Sequence, residues 1–144
     1  MSWREINEPV IAEFRARGGQ TSRRHPVILL TTIGARSGRP HTTPLNFSTD
    51  GDRLVVIASK GGSDSHPDWY RNLLANPEVV IEHAGQRFRA RATTAAEPER
   101  TRLYDRQAAA MPFFDGYRRR VKQRQIPVVV FERIDGPADP AQPG

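Results

Sequence analysis

The chain begins with apolar side chains at helical spacing, separated by charged ones: Trp3, Ile6, Val10 and Phe14. This spacing places the four side chains on one face of a helix, and the glycine pair Gly18-Gly19 that follows is typical of a helix end. We therefore predict an amphipathic N-terminal helix within residues 1–20, packed on the domain that follows.

Short β-branched and apolar runs come next along the chain. Residues 26–33 are mostly apolar and precede Gly34, which predicts a strand buried on both faces. Residues 41–49 and 53–59 flank the turn pair Asp50-Gly51 and predict a hairpin. On this pattern, the first strand and the hairpin form three adjacent antiparallel strands.

The second half of the chain alternates between helical and extended patterns. Ser65 is a candidate cap for a short inserted helix, which Asn76-Pro77 ends. The later elements are a hairpin of residues 78–83 and 86–94, one or two helices over 98–110 and 112–124, and a strand over 128–131. About six antiparallel strands with these helices predict a mainly β fold with α-helices, closed as a barrel because closure removes the sheet edges.

The domain organisation is simple. At 144 residues the chain has the length of one compact domain, and we assign the barrel to residues 21–135. No βαβ alternation occurs, which disfavours a Rossmann sheet. The last residues, 136–144, are rich in proline and glycine and are predicted to be disordered.

Composition narrows the chemistry. The chain has no cysteine, which excludes disulfides, thiolate metal sites and a cysteine nucleophile. Its histidines lack the spacing of a ligand set, so no metal site is predicted. Neither a signal peptide nor a membrane span is recognisable, and we expect a soluble cytoplasmic protein. The net charge of +6 comes mostly from arginine, which favours an anionic ligand.

Residues 34–44 form a polar segment with two glycines, two arginines, a histidine and three hydroxyl side chains. Backbone N–H groups and cations in such a loop suit a phosphate. The segment lacks the Gly-Lys-Ser/Thr ending of a P-loop, and a strand follows it where a P-loop needs a helix. A polar hairpin turn without a ligand is the alternative interpretation.

A second loop with related chemistry follows a later strand. Ala58-Ser59-Lys60-Gly61-Gly62 leads into Asp68-Trp69-Tyr70-Arg71-Asn72-Leu73, so a lysine, two glycines and a helix N-terminus meet in one connection. In an antiparallel meander barrel both loops can lie at the same end.

Three segments, in this order and spacing, resemble the deazaflavin-dependent nitroreductase family: residues 31–40 (Thr-Thr-Ile-Gly-Ala-Arg-Ser-Gly-Arg-Pro), 58–62 (Ala-Ser-Lys-Gly-Gly) and 66–73 (His-Pro-Asp-Trp-Tyr-Arg-Asn-Leu). The resemblance extends from about Val27 to Ile134. It implies a split β-barrel that binds coenzyme F420, an 8-hydroxy-5-deazaflavin. It further implies an oxidoreductase that transfers a hydride from reduced F420 to a small organic acceptor.

The resemblance also implies which residues hold the cofactor. They are Ala35, Arg36, Ser37, His41, Thr42, Thr43, Pro44, Leu45, Asn46, Ile57, Ala58, Ser59, Lys60, Asp68, Trp69, Tyr70, Arg71, Asn72 and Phe114. Within this set we expect Arg36, Ser37 and Lys60 to bind the phosphate and acidic tail. Trp69 and Asn72 are expected to fix the loop geometry, although the helical spacing of Trp69 also fits a core position.

The family often has aromatic residues on the acceptor side, where this chain has Met111-Pro112-Phe113-Phe114-Asp115-Gly116-Tyr117. Tyr117 alone keeps a phenol there and is the candidate catalytic residue that orients or protonates the acceptor. Asn46 stands where relatives can have a tyrosine. The resemblance therefore does not extend to bicyclic nitroimidazole drugs, and it leaves quinone, enone and nitroaromatic acceptors open.

Three alternatives stay open beside this hypothesis. Flavin mononucleotide (FMN) could replace F420 in an oxidase or reductase of the same barrel, and a non-catalytic cofactor carrier needs the same loops. A basic nucleic-acid-binding barrel is the third, but cations and aromatics do not alternate along the strands as base stacking requires, so no nucleic acid is expected. The run Arg118-Arg119-Arg120 with Lys122 and Arg124 fits a solvated helix face or a surface that attracts anions.

For the assembly we prefer a homodimer, which no pattern in the sequence specifies, and we expect a small-molecule hydride acceptor as the reaction partner. Trp3 and Phe14 with flanking arginines would also suit a helix on a membrane surface, which leaves a peripheral membrane contact open.

Overall fold

The computed structural model describes residues 2–134, which form four α-helices and seven β-strands. The elements follow in this order: α1 (Trp3–Ala16), β1 (Val27–Ile33), β2 (Pro40–Asn46), β3 (Ser48–Asp50), β4 (Arg53–Ile57), α2 (Asp68–Ala75), β5 (Glu78–His83), β6 (Gln86–Thr94), α3 (Glu99–Ala110), α4 (Phe113–Arg120) and β7 (Val128–Arg133). The tail 136–144, for which we predict disorder, lies outside the described residues.

All seven strands belong to one antiparallel sheet in the order β2-β1-β5-β6-β7-β4-β3. Because neighbouring strands alternate in direction, β1 and β4 run the same way. The segment after β1, residues 34–39, is called the arginine loop below, and the segment after β4, residues 58–66, the lysine loop. Both loops therefore lie at the same end of the sheet, as the meander pattern predicts.

The two edge strands of this sheet come from one stretch of chain. β2 ends at Asn46 and β3 begins at Ser48, so only Phe47 separates strands at opposite edges of the hydrogen-bonded order. The sheet therefore curls so that its two edges meet at this bend, and within residues 2–134 the outer sides of β2 and β3 pair with no further strand. The predicted mainly β split barrel with α-helices is confirmed.

Two details of the strand prediction are wrong. The predicted strand 41–49 bends at Phe47 and supplies two strands, so the number of strands is seven instead of about six. Its halves also have different partners, since β2 pairs with β1 whereas β3 pairs with β4. The first strand and the hairpin are thus not three adjacent strands, because local alternation does not encode which distant strands pair.

Apolar side chains pack on both faces of the curled sheet. The interior cluster joins the strands to α2 and includes Ile28, Leu30, Val56, Ile81, Phe131, Trp69 and Leu73. On the outer face, α3 and α4 cover β4 and β7 through a cluster that includes Val55, Val130, Leu103, Tyr104 and Phe114. These packed layers fix the helices that border both loops.

Helix α2 begins later than the sequence predicts. Its first residue follows Pro67, which has an extended backbone and a missing N–H that suits the start of a helix. Ser65, the predicted cap, makes no hydrogen bond to the backbone N–H groups at the start of α2. Its Oγ instead accepts a hydrogen bond from Lys60 Nζ at 3.2 Å, within the lysine loop.

Helix α4 ends at Arg120, earlier than predicted. The backbone N–H groups of Lys122 and Gln123 donate to Asp64 Oδ1, at 3.0 and 3.3 Å, instead of to helical carbonyls. The carboxylate of the lysine loop therefore competes with the helix for these donors, and the chain leaves α4 along that loop.

Helix α1 packs against the outer face of β1. Val10 and Phe14 are buried there against Leu29. On the other side of the helix, Trp3 is 62% exposed and Ile6 37% exposed. Within residues 2–134 no helix has the length and apolar character needed to cross a membrane.

Candidate active site

The arginine loop is a compact turn closed by its own backbone. Gly34 N–H donates to Arg39 O at 2.8 Å, and Gly38 N–H donates to Gly34 O at 2.9 Å. Ser37 Oγ accepts from Arg39 N–H at 3.1 Å and lies 3.3 Å from His41 Nε2. A Cβ at position 34 would collide with Ser37 Oγ, so this close turn requires glycine there.

Asn72 of α2 ties the arginine loop to the barrel. Its Oδ1 accepts the Ala35 backbone N–H at 3.0 Å, and its Nδ2 donates to Thr32 Oγ1 at 3.2 Å. Because Thr32 is fully buried in β1, the amide connects an exposed loop to a fixed point in the core. This geometry agrees with the expectation that Asn72 fixes the loop.

Cationic side chains project from this end of the barrel without bound carboxylates. Arg36 and Arg39 of the arginine loop and Arg71 of α2 are exposed. In the described part of the chain, none of the three guanidinium groups has a hydrogen-bond or ion-pair partner. Asp68 is also exposed, in the first turn of the same helix. The three arginines are thus available to an external anion.

The lysine loop has a more constrained backbone. Lys60, Gly61 and Gly62 all have left-handed conformations, with φ of 49°, 63° and 86°. Glycine adopts this conformation at little cost, whereas a lysine there is strained and must be held by its surroundings. The Lys60 ammonium is held by Ser65 on the same loop, and Ser59 is buried beside it.

Arg124 supplies much of that support. Nε and Nη2 donate to Ser63 O at 3.1 and 2.9 Å, Nη2 also donates to Ser59 O at 2.8 Å, and Nη1 donates to Ala58 O at 3.0 Å. Nη1 lies 3.1 Å from His66 Nδ1 as well. Burial lowers the pKa of the Arg124 guanidinium from its ordinary value. The whole side chain is therefore committed to the lysine loop.

The rest of the predicted basic run divides between structural and exposed positions. Arg118 stacks over the Tyr104 ring, 4.4 Å from its centroid, and pairs with Asp105 at 2.6 Å. Arg120 Nη1 donates to Gly61 O of the lysine loop at 3.3 Å. The run is thus not a uniformly solvated helix face, because several of its charges hold α4 and the lysine loop together.

A cleft of about 360 Å³ opens between the segment that precedes β1, the end of β2, and α4. It is lined by Arg23, Arg24, His25, Asn46, Phe113 and Tyr117. Its aromatic wall is continuous, since the Phe113 ring lies 5.7 Å from both His25 and Tyr117, measured between ring centroids. Two predicted site residues, Asn46 and Tyr117, therefore meet in one cleft.

Helix α4 links this cleft to the lysine loop. A Cβ on Gly62 would stand 3.3 Å from Tyr117 Cδ1, so the tyrosine ring touches the glycine backbone of the loop. The candidate catalytic phenol and the loop that carries Lys60 thus border each other.

Strand β2 connects the arginine loop to the other side of the cleft. Thr42 Oγ1 lies 2.7 Å from Thr31 Oγ1 across the strand pair, and Thr43 and Pro44 are partly buried. Asn46, at the end of the strand, donates from Nδ2 to Pro26 O at 3.3 Å. The predicted β2 residues therefore form a continuous path from the loop to the cleft.

Several predicted site residues lie in the core. Trp69 is 8% exposed and Tyr70 6% exposed, and the Tyr70 hydroxyl lies 3.0 Å from Thr94 Oγ1. Ala58 is fully buried and Ile57 is 5% exposed. The packing of Trp69 agrees with the core alternative for that residue.

Two more residues of the predicted set pack inward. Leu45 lies against the interior cluster, and Phe114 is 5% exposed within the outer cluster, where its carbonyl accepts from Tyr104 Oη at 2.7 Å. Its neighbour Phe113, 37% exposed, lines the cleft instead. Neighbouring residues of a helix point in different directions, and in α4 the side chain of Phe113 faces the cleft whereas that of Phe114 faces the outer cluster.

Sequence reasoning missed several residues of this region. Arg23, Arg24 and His25 border the cleft, and their only signal is a short basic run before the first strand. The sequence places Arg124 only in a basic run, because nothing in the local sequence indicates that its guanidinium contacts a loop about sixty residues earlier.

Comparison with known proteins gives one consistent result. A family described as F420H(2)-dependent quinone reductase matches residues 3–133. An F420H(2)-dependent quinone reductase of Mycobacterium tuberculosis strain H37Rv is 36% identical over 132 residues, covering 85% of this chain and 86% of the relative. The family match, over residues 3–133, includes all the helices and strands described above.

Solved structures agree with the family match. A structure described as F420-H2 dependent reductase (FDR-A) has a TM-score of 0.68 at 32% identity, covering 74% of this chain and 94% of that one. A domain-swapped dimer has a TM-score of 0.70 at 30% identity, covering 86% and 96%. The haem storage protein HutZ of Vibrio cholerae, at 19% identity with coverage of 90% and 91% and a TM-score of 0.58, shares the fold alone.

Proposed function

This chain belongs to the F420H(2)-dependent quinone reductase family and is an F420H2-dependent oxidoreductase, and from that premise we propose that its hydride acceptor is a quinone. The observation that carries the proposal is that both loops follow strands at the same end of the sheet, and that the lysine loop borders a cleft with an aromatic wall through the contact of Gly62 with Tyr117. Their cations, Arg36 and Lys60, have no carboxylate partner within residues 2–134. The quinone is favoured over enone and nitroaromatic acceptors because the relatives in the family are named for it.

The two loops are the proposed binding site for the cofactor's phosphate and acidic tail. Arg36 and Lys60 supply charge, and Ser37 with the loop backbone N–H groups supplies neutral donors, a set suited to an anion. Asp64 is the one carboxylate within the loops, and its Oδ1 already accepts two backbone N–H groups. The residues present therefore fit the phosphate end of F420.

The cleft is the proposed site of the acceptor. When bound, F420 supplies the hydride, and the protein contributes binding, orientation and exclusion of water. A quinone oxygen gains negative charge as the ring accepts a hydride, and an O–H or N–H donor beside it stabilises that charge. We assign this role to the Tyr117 hydroxyl. Asn46 is a second donor, because its amide nitrogen has two hydrogens and only one is used by Pro26.

Anaerobic kinetics test the proposal. The purified protein is mixed with reduced F420 and, in turn, a naphthoquinone, a cyclic enone and a nitroaromatic, and the formation of oxidised F420 is followed by absorbance. We expect the highest kcat/KM with the quinone, and a lower kcat for Tyr117→Phe with an unchanged dissociation constant for F420. Faster turnover of the enone or the nitroaromatic would overturn the quinone assignment.

The proposed assembly is a homodimer. The domain-swapped relative supports it, as do the exposed apolar side chains of Trp3 and Ile6 on α1, which a second copy would cover. Sedimentation velocity should give the mass of two chains, and Trp3→Ser with Ile6→Ser should shift it toward one. A monomer that binds lipid vesicles through α1 would contradict this assembly and favour the membrane alternative.

A further inference from the structure

The Arg124 side chain is saturated by a single loop. A guanidinium has five N–H hydrogens. The five contacts of Arg124, at 2.8 to 3.1 Å, go to the carbonyls of Ala58, Ser59 and Ser63 and to the His66 ring. All of these partners lie in residues 58–66, on both sides of Lys60.

The lysine loop needs such support because of its backbone. Lys60 is a non-glycine residue in the left-handed region, at φ 49°, and a residue in this region persists only where its surroundings impose it. The carbonyls of Ala58 and Ser59 immediately precede it and both accept from Arg124. Loss of the guanidinium would leave the partly buried Ala58 carbonyl without its donor and the Ser59 carbonyl with Gly62 N–H alone, and the loop would relax away from the left-handed form.

The contact runs in both directions. Arg124 donates to the lysine loop, while Asp64 of that loop accepts from the backbone of Lys122 and Gln123. We call this reciprocal set of bonds the clasp. No carboxylate forms an ion pair with Arg124 within residues 2–134, and the charge of Asp64 only partly offsets the effect of burial, so the pKa of the guanidinium stays below its ordinary value.

On the basis of the proposed function, we propose that Arg124 is a positioning residue that acts on the cofactor phosphate through Lys60. It holds the loop so that the Lys60 ammonium faces the phosphate. Its contribution is therefore confined to the phosphate-bearing end of the ligand. The protein should distinguish F420 from the corresponding deazaflavin alcohol, which lacks the phosphate and acidic tail, by means of a residue that contacts neither ligand.

The test compares dissociation constants for these two ligands by calorimetry. Arg124→Lys keeps the charge but has three donors on one nitrogen and cannot reach all the acceptors, so we expect about a tenfold weaker affinity for F420. Arg124→Met, which removes the charge as well, should weaken it further. Affinity for the deazaflavin alcohol should change by less than about twofold in both variants.

Arg118→Lys is the matched control. Arg118, on α4 just before the segment that carries Arg124, is also partly buried and stacks on Tyr104, but it contacts no residue of the lysine loop. Its replacement should lower the melting temperature and leave the ratio of the two dissociation constants unchanged. If Arg124→Lys changes both affinities equally, the residue has only a structural role and the inference is overturned.

A double variant distinguishes a failure of the clasp from a failure of the proposed phosphate site at Lys60. In a Lys60→Ala background, Arg124→Lys should cause little additional loss of F420 affinity, because both changes remove the same contact. Additive losses would contradict the inference. If Lys60→Ala alone leaves F420 affinity unchanged, the proposed phosphate site fails and the inference fails with it. If Lys60→Ala weakens binding but Arg124→Lys does not, only the clasp fails.

A third variant keeps the test decisive if the Arg124 variants do not fold. Asp64→Ala removes the acceptor on the other side of the clasp and leaves Arg124 in place. It should also weaken the binding of F420 more than that of the deazaflavin alcohol. Equal effects on the two ligands would count against the inference.

Discussion

The arginine loop and the lysine loop, which lie at the same end of the sheet, are held in different ways. The arginine loop is closed by its own backbone and is tied to the barrel through one amide, Asn72, while Arg36 and Arg39 extend without partners. The lysine loop is held by Arg124 from below, and its cation, Lys60, is fixed by Ser65. The arginine loop thus has exposed charges that a ligand would have to order, whereas the lysine loop has a charge whose position the fold already sets.

This difference has an energetic consequence for ligand binding. An exposed arginine loses rotamer freedom worth up to about 2 kcal/mol when it is immobilised, which reduces its net contribution. A cation whose position is set by the fold avoids most of this loss. We therefore expect the lysine loop to contribute more affinity than the arginine loop, although the arginine loop has more charge.

The largest expected effect follows from this comparison. Lys60→Ala should raise the dissociation constant for F420 by roughly one to two decades, the cost of about 1.5 to 3 kcal/mol for a charge-assisted contact. Arg36→Ala should raise it less, by about tenfold or below. Lys122→Ala, at an exposed lysine outside both loops, is the control for net charge. A larger loss at Arg36 than at Lys60 would reverse the comparison.

A smaller effect is expected at the tether of the arginine loop. Asn72→Ala removes the acceptor of the Ala35 N–H group and a donor to Thr32, at about 1 kcal/mol, so F420 affinity should fall by roughly fivefold. Titration calorimetry measures this change. Asn76→Ala, directly after the same helix and with only a 3.5 Å contact to Ile33 O, should have no effect on affinity. Equal losses for the two variants would show that the loop does not depend on its tether.

The smallest effect concerns pH and the lysine loop. Burial, followed by the Arg124 and Arg71 guanidinium groups, holds the pKa of His66 below its ordinary value of 6.5. In the unfolded chain His66 therefore binds a proton at higher pH than it does in the folded chain. The contribution of neutral His66 to the free energy of unfolding is fully present above pH 6.5 and is lost as pH falls through the lower pKa of the folded state.

Urea unfolding between about pH 7.5 and pH 5 measures this dependence. His66→Gln keeps an oxygen that can accept from Arg124 but does not titrate, so its stability curve should be flatter over this range. An identical slope in the variant would assign the pH dependence to other groups.

The sequence predicts most strands and helices of the barrel because these elements depend on local patterns of apolar and polar residues. β1 is an apolar run ended by a glycine, and its direction relative to β4 follows from antiparallel pairing, so both loops could be assigned to one end. The pairing of β2 and β3 was missed because the bend at Phe47 depends on barrel closure. No local alternation signals such a bend.

The candidate site can be proposed from the sequence where the loop sequence itself carries the chemistry, as at Arg36, Ser37 and Lys60, whose roles stay a prediction. It was not predictable where contacts are distant in sequence. Arg124 and the lysine loop meet only after β7 pairs with β4, and the choice of Phe113 over Phe114 for the cleft depends on the phase of a short helix. Such contacts are set by tertiary packing, which a single sequence does not show.

The identity of the cofactor can be tested by a calorimetric comparison of oxidised F420 and FMN as ligands of the purified protein. We expect low-micromolar or tighter binding of F420, much weaker binding of FMN, and loss of F420 affinity in Lys60→Ala. Tight binding of FMN with none of F420 would contradict this expectation, and would leave the two loops as the phosphate site of a different cofactor.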